Sequence, residues 1–150
     1  ASAAPWSLRL VGDGPLRAEL EQRTRELALQ RRVTFLGTLA DASNEIACAD
    51  ALVLPSLFEG MPNVVLEAMA LKTPVIATRA GGTLELQQNH PTAFWAEPGD
   101  ASSLAQTIVD FANQPDVARD HVNAASQLIQ TEHDVAKTVQ TIESLLMRGG

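Results

Sequence analysis

The chain has 150 residues, 45% of them hydrophobic and 19% charged, and carries a formal net charge of −7. That composition supplies one domain with a buried core and is too apolar for a disordered segment. The acidic balance excludes a nucleic-acid or anionic-membrane surface driven by bulk charge, so any phosphate must be held by local devices such as backbone amides at a helix start.

Ser7–Val11 reads as a short strand ended by Gly12, Asp13, Gly14 and Pro15. Pro15 opens a helix expected to run to about Gln30, with Leu16, Leu20 and Leu27 on one apolar face. Arg31 and Arg32 then lie where basic residues suit a helix C-terminus. Val33–Leu36 is the next strand, closed by Gly37, and a short helix is expected from Asp41 to Ala49 before the strand Ala51–Leu54. The run Glu59–Ala70 follows, in which two carboxylates, Glu59 and Glu67, bracket a Gly/Pro turn and the start of a helix. Pro62 suits the first helical turn, where its missing N–H is no loss. Val64, Val65, Leu66, Ala68, Met69, Ala70 and Leu71 leave no polar stripe except Glu67. A helix apolar all round predicts burial, which would put the Glu67 carboxylate where an isolated charge is costly.

Pro74–Thr78 is the next strand, Gly81 and Gly82 make a turn into a short helix containing Leu84 and Leu86, and Ala93–Ala96 is the last strand. Pro98, Gly99 and Asp100 form a turn and cap before a helix carrying Leu104, Ile108 and Phe111. Pro115 opens a second helix to about Gln130, and Asp134 caps a third with the stripe Val135, Val139, Ile142 and Leu146. No repeat or interior linker divides the chain, so residues 1–150 read as a single domain.

Short apolar strands alternating with helices predict an α/β fold, a Rossmann-like parallel sheet with helices on both faces. Ligands in such sheets sit outside the carboxyl ends of the strands. Gly12–Pro15, Gly37, Glu59–Asn63 and Gly81–Gly82 all leave such ends, and a helix N-terminus near Pro62–Val64 offers N–H groups to an anion. The plain alternative for Glu59 and Glu67 is a cap and a buried ion-pair partner. His90, His121 and His133 are scattered and form no metal-ligand pattern, so no metal is expected. Cys48 cannot form an internal disulfide, in keeping with a cytoplasmic setting, and reads as a small buried hydrophobe. Trp6 and Trp95 read as packing residues. No apolar run reaches a membrane-spanning length, and Ala1–Trp6 lacks the features of a signal peptide. A strand under way by Leu8 suggests a fragment boundary.

The ordered set from Ala49 to Ser56, then Glu59, Gly60, Pro62 and Glu67–Ala70, resembles the signature of retaining glycosyltransferases of family 4. Pro74–Thr78, Gly81–Gly82 with Glu85, and Pro98–Asp100 continue it in order, while Val11–Pro15 and Val33–Gly37 match its preceding segments. The likeness spans about residues 8 to 147 and implies the C-terminal, donor-binding half of a two-domain GT-B enzyme. It implies a nucleotide-sugar donor linked through UDP, GDP or ADP, a hexose transferred in glycan or glycolipid biosynthesis, no cofactor, and front-face attack assisted by the leaving diphosphate. Carried over residue by residue, Glu67 would accept the ribose hydroxyls and Glu59 the sugar hydroxyls, in a pocket shaped by Gly60, Met61, Pro62 and Asn63. Val64 and Val65 amides would face the diphosphate, Leu36, Gly37 and Leu39 would border the base, and Gly81 and Gly82 the sugar-diphosphate side.

The resemblance also implies an earlier strand and helix, a loop with an Arg and a Lys, and an N-terminal acceptor-binding half, none of which Lys72 or Arg79 replaces. With a strand order of 3-2-1-4-5-6, the strands at 7–11 and 51–54 would meet directly, or another chain would fill the gap and make an oligomer. The chain alone is therefore expected not to catalyse. The competing reading is a non-catalytic nucleotide-binding or interaction module derived from the fold. A nicotinamide-dependent oxidoreductase fits poorly, because Arg17 stands where the third glycine of G-x-G-x-x-G belongs.

Overall fold

A computed structural model describes residues 6–87 and 91–132. His90, His133 and the helix expected after Asp134 lie outside them. The chain forms two compact units, residues 1–42 and 43–150.

The first unit contains β1 (Leu8–Val11), α1 (Arg17–Glu26) and β2 (Val33–Gly37). β1 and β2 pair in parallel, with Leu8 opposite Val33 and Leu10 opposite Phe35. At their carboxyl ends Gly12 N–H donates to the Gly37 carbonyl at 2.7 Å, and both glycines hold positive φ, 121° and 70°. α1 stops well short of Gln30. Ala28 adopts φ 55°, its N–H bonds to Arg25 O, and Leu29 N–H bonds to Thr24 O. These two bonds make a Schellman stop, here with alanine where glycine is usual, so no glycine announced the end. Nor does the expected apolar face become core: α1 buries no residue, and Leu16, Leu20 and Leu27 are all exposed. β1 is likewise exposed apart from Leu10, which is half-buried.

The second unit contains α2 (Ser43–Ala47), β3 (Leu52–Leu54), α3 (Asn63–Ala70), β4 (Val75–Thr78), a 3₁₀ helix (Gly81–Gln87), β5 (Phe94–Ala96), α4 (Ala101–Asn113) and α5 (Pro115–Glu132). Its three strands form one parallel sheet in the order β3-β4-β5, with Ile76 opposite both Val53 and Phe94. In the first unit β1 and β2 form a two-stranded sheet among the described residues. Every residue of β4 is buried. Because successive side chains point to opposite faces, both faces of the sheet are covered there. α3 packs on β3 and β4, and α4 packs on β4 and β5. Ile76, Phe94 and Ala118 centre the core, with Phe94 edge-on to Phe111 at 5.6 Å and tilted against His121 at 4.8 Å. Asp100 caps α4 as expected, accepting from the N–H groups of Ser102 and Ser103 at 2.8 and 3.0 Å. Cys48 is exposed rather than buried, since it lies in the turn after α2 instead of facing the core with Ile46. The architecture is that of a Rossmann-like α/β fold.

Candidate functional site

α3 shows how the second unit builds its rim. Pro62, Val65, Ala68 and Met69 are buried, while Asn63, Glu67, Ala70 and Leu71 are exposed. Those four exposed positions recur at helical spacing and form one open stripe. The expectation of all-round burial is therefore corrected: the helix is apolar by composition but two-faced by packing, because α2, α5, β3 and β4 cover one side only. Glu67 is an exposed carboxylate with no ion pair among the described residues. It follows Asn63 by one turn, about 6 Å along the axis.

The N-terminus of α3 leaves the carboxyl-end rim with donors to spare. No side chain caps it, and Val65 and Leu66 N–H both turn back to Pro62 O, at 3.0 and 3.3 Å. The amides of Asn63 and Val64 are left without an acceptor among the described residues, as the first N–H groups of a helix usually are. Val65 N–H, expected to face an anion, is already engaged.

Glu59 lies just before this helix start and is held from both ends. Its Oε1 accepts from Ser56 Oγ at 2.5 Å, and its backbone O accepts from Gly82 N–H at 3.0 Å. Thr78 Oγ1 donates to Ser56 O at 2.5 Å, and Thr83 Oγ1 lies 2.9 Å from Thr78 O. Thr83 also receives Ala80 N–H at 3.0 Å. The result is a closed circuit running Glu59–Ser56–Thr78–Thr83–Gly82 and back to Glu59. Thr78 and Thr83 are both buried and the bond between them is shielded from water, whereas the Ser56–Glu59 bond is part-buried.

Gly81 and Gly82 are required by the same contact. A Cβ on Gly81 would lie 2.1 Å from Glu59 O, and one on Gly82 would lie 1.8 Å from Gly60 O. Two loops, leaving the carboxyl ends of β3 and β4, thus pack backbone on backbone. Of the residues predicted for the site, Glu59, Gly60, Met61, Gly81 and Gly82 come together here, with Pro62, Asn63 and Val64 continuing directly into α3. Thr78 and Thr83 were missed as site-building residues. The available signal was hydroxyl side chains at the end of an otherwise apolar strand, flanking a Gly-Gly pair.

Leu36, Gly37 and Leu39 belong to the first unit, where all three are half-buried at the end of β2. Within the second unit, the described cationic residues are Lys72, Arg79 and Arg119. Lys72 stands at the far end of α3, Arg119 pairs with Asp116 at 3.1 Å, and Arg79 lies 3.6 Å from Glu97. A cleft of about 250 Å³ opens beside the site, lined by Pro55, Leu57, Thr78, Glu97, Gly99 and Leu104 among others. Leu57 and Phe58, at 74% and 83% exposure, form an apolar lip next to Glu59. Among the described residues no group of three or more His, Cys, Asp or Glu side chains could hold a metal, and no helix is long and apolar enough to cross a membrane.

Residues 1–114 match the family model of the group 1 glycosyl transferases. Among curated relatives, N-acetyl-alpha-D-glucosaminyl L-malate synthase of Bacillus anthracis is 31% identical over 92% of this chain and 36% of its own length. The lipopolysaccharide core biosynthesis glycosyltransferase LpsD of Rhizobium meliloti is 34% identical over 95% of this chain and 41% of its own. HepE of Anabaena, solved in complex with UDP, superposes with a TM-score of 0.86 at 30% identity, covering 95% of this chain and 41% of that one. HepE is also solved with UDP-glucose. The C-terminal domain of the group 1 glycosyl transferase LpcC from Francisella tularensis gives a TM-score of 0.76 at 25% identity, covering 87% of this chain and 71% of that one. The chain thus spans about two fifths or less of the full-length relatives, and its likeness to an isolated C-terminal domain extends over most of that domain. It belongs to the group 1 glycosyl transferases, as a C-terminal domain of the GT-B type.

Proposed function

We propose that the chain is the donor-binding half of a retaining glycosyltransferase, which holds a nucleoside-diphosphate hexose for transfer to an acceptor hydroxyl in glycan or glycolipid biosynthesis. The observation that carries this reading is the junction of the Glu59 loop, the Gly81–Gly82 turn and the uncapped start of α3 at the carboxyl ends of β3 and β4. An uncapped helix start is an anion site, and here it adjoins one carboxylate and leads to a second on the open face.

In this assignment Asn63 and Val64 amides meet the diphosphate, which moves the contact one residue earlier than Val64 and Val65. Glu67, one turn further along the open stripe, accepts the ribose hydroxyls. Glu59 accepts hydroxyls of the hexose, in a pocket walled by Gly60, Met61, Pro62, Gly81 and Gly82. The acceptor oxygen attacks the anomeric carbon on the face from which the diphosphate departs, and its proton passes to the leaving phosphate oxygen. The amides stabilise the charge that develops on that leaving group. UDP-glucose is the donor to try first, given the complexes of HepE.

The chain by itself binds donor without transferring it, since the acceptor site and further diphosphate cations belong to the remaining length that its relatives possess. NMR-monitored titration of the 150-residue chain with UDP and with UDP-, GDP- and ADP-glucose tests the reading. Glu67→Ala weakens UDP and UDP-glucose together, while Glu59→Ala weakens UDP-glucose selectively. Absence of binding by every nucleotide, or equal effects of both variants on both ligands, contradicts the assignment.

A further inference from the structure

The closed circuit around Glu59 carries a consequence for specificity, which rests on the donor reading above. A carboxylate on a rim loop has two equivalent oxygens and several rotamers, and a sugar can be discriminated only if both are restricted. Here one oxygen, Oε1, is occupied by the Ser56 hydroxyl at 2.5 Å. Ser56 is in turn fixed through its own carbonyl, which receives the hydroxyl of buried Thr78. The backbone of Glu59 is held independently by Gly82 N–H, and Gly81 and Gly82 let the two loops pack too closely for any side chain between them.

We infer that Ser56 is a positioning residue for sugar recognition: its hydroxyl holds the Glu59 carboxylate in one rotamer and leaves Oε2 as the acceptor for the hexose hydroxyl. Thr78 supports that arrangement one bond further back. Ser56 itself touches no donor atom in this scheme. Losing a hydrogen bond to a charged group usually costs about an order of magnitude in an equilibrium constant. Ser56→Ala therefore weakens UDP-glucose about five- to tenfold relative to UDP, because the freed carboxylate spends time in rotamers that miss the sugar.

The test is the ratio of dissociation constants for UDP-glucose and UDP, measured on the 150-residue chain and its Ser56→Ala, Ser56→Thr, Glu59→Ala and Ser56→Ala/Glu59→Ala variants. A partly unfolded variant lowers both affinities by one factor and leaves the ratio alone, so the ratio reports positioning and not folding. The inference predicts that Ser56→Ala shifts the ratio, that Ser56→Thr restores it, and that the double variant matches Glu59→Ala. A ratio unchanged in Glu59→Ala refutes the donor reading itself. A ratio moved by Glu59→Ala but not by Ser56→Ala, or a Ser56→Ala effect that adds in full to that of Glu59→Ala, overturns the inference alone.

Discussion

Gly82→Ala is the sharpest structural perturbation available at the site. Its added Cβ would lie 1.8 Å from Gly60 O, whereas real Cβ contacts essentially never fall below 3.0 Å. The Glu59–Met61 loop would have to retreat by about 1.2 Å from a backbone atom that has no side-chain flexibility to absorb it. Gly82 is outside the positive-φ residues, so the cost is steric and not conformational. Overpacking of this kind costs roughly 1–3 kcal/mol, and the lost Gly82–Glu59 bond adds about 1 kcal/mol. A destabilisation of about 2–4 kcal/mol by urea denaturation is expected. Gly60→Ala is the matched control, on the opposite side of the same contact. A Cβ there meets nothing within 4 Å, and the change is expected to stay within about 0.5 kcal/mol. Equal effects of the two substitutions would refute the claim that Gly82 is fixed by close approach of the loops.

Two further predictions concern the frame around the site. Lys72 closes α3 with φ 61°, its N–H on Met69 O and Thr73 N–H on Ala68 O, a stop that normally uses glycine. Lys72→Gly should stabilise the chain by about 0.5–1 kcal/mol in urea, as relief of left-handed strain outweighs added freedom in the unfolded chain. His121 has its pKa pushed below the ordinary 6.5 by burial, against the opposing pull of Asp120, and its Nδ1 is buried without a partner among the described residues. The unfolded chain takes up this proton first as pH falls, so the His121 contribution is intact above pH 6.5 and is lost below it. The stability difference between the parent chain and His121→Phe should therefore be constant above that pH and move in favour of the variant below it. A constant difference across the whole range would remove His121 from the acid response.

The strands, the caps and the rim were readable because each rests on local chemistry. Apolar runs of four residues become β4 and β5, and Asp100 before a small-residue turn becomes the cap of α4. What was not readable depends on contacts distant in sequence. The end of α1 is set by a left-handed Ala28, which has no composition signal. The open stripe of α3 follows from where α2 and α5 lie, so a helix with one polar residue in its middle carries that residue outward. Leu16, Leu20 and Leu27 keep their helical spacing yet stay about half exposed or more. The Glu59–Gly82 contact joins segments more than twenty residues apart, and only their packing shows why Gly81 and Gly82 allow no side chain.

Amide shift mapping with UDP-glucose shows whether the α3 start and the Glu59 loop form the donor site. The largest shifts should fall on Asn63, Val64 and Gly82, with Glu67→Ala reducing them across the whole set. Largest shifts instead at Gly99–Leu104, beside the neighbouring cleft, with Asn63 and Val64 unmoved, would contradict that placement.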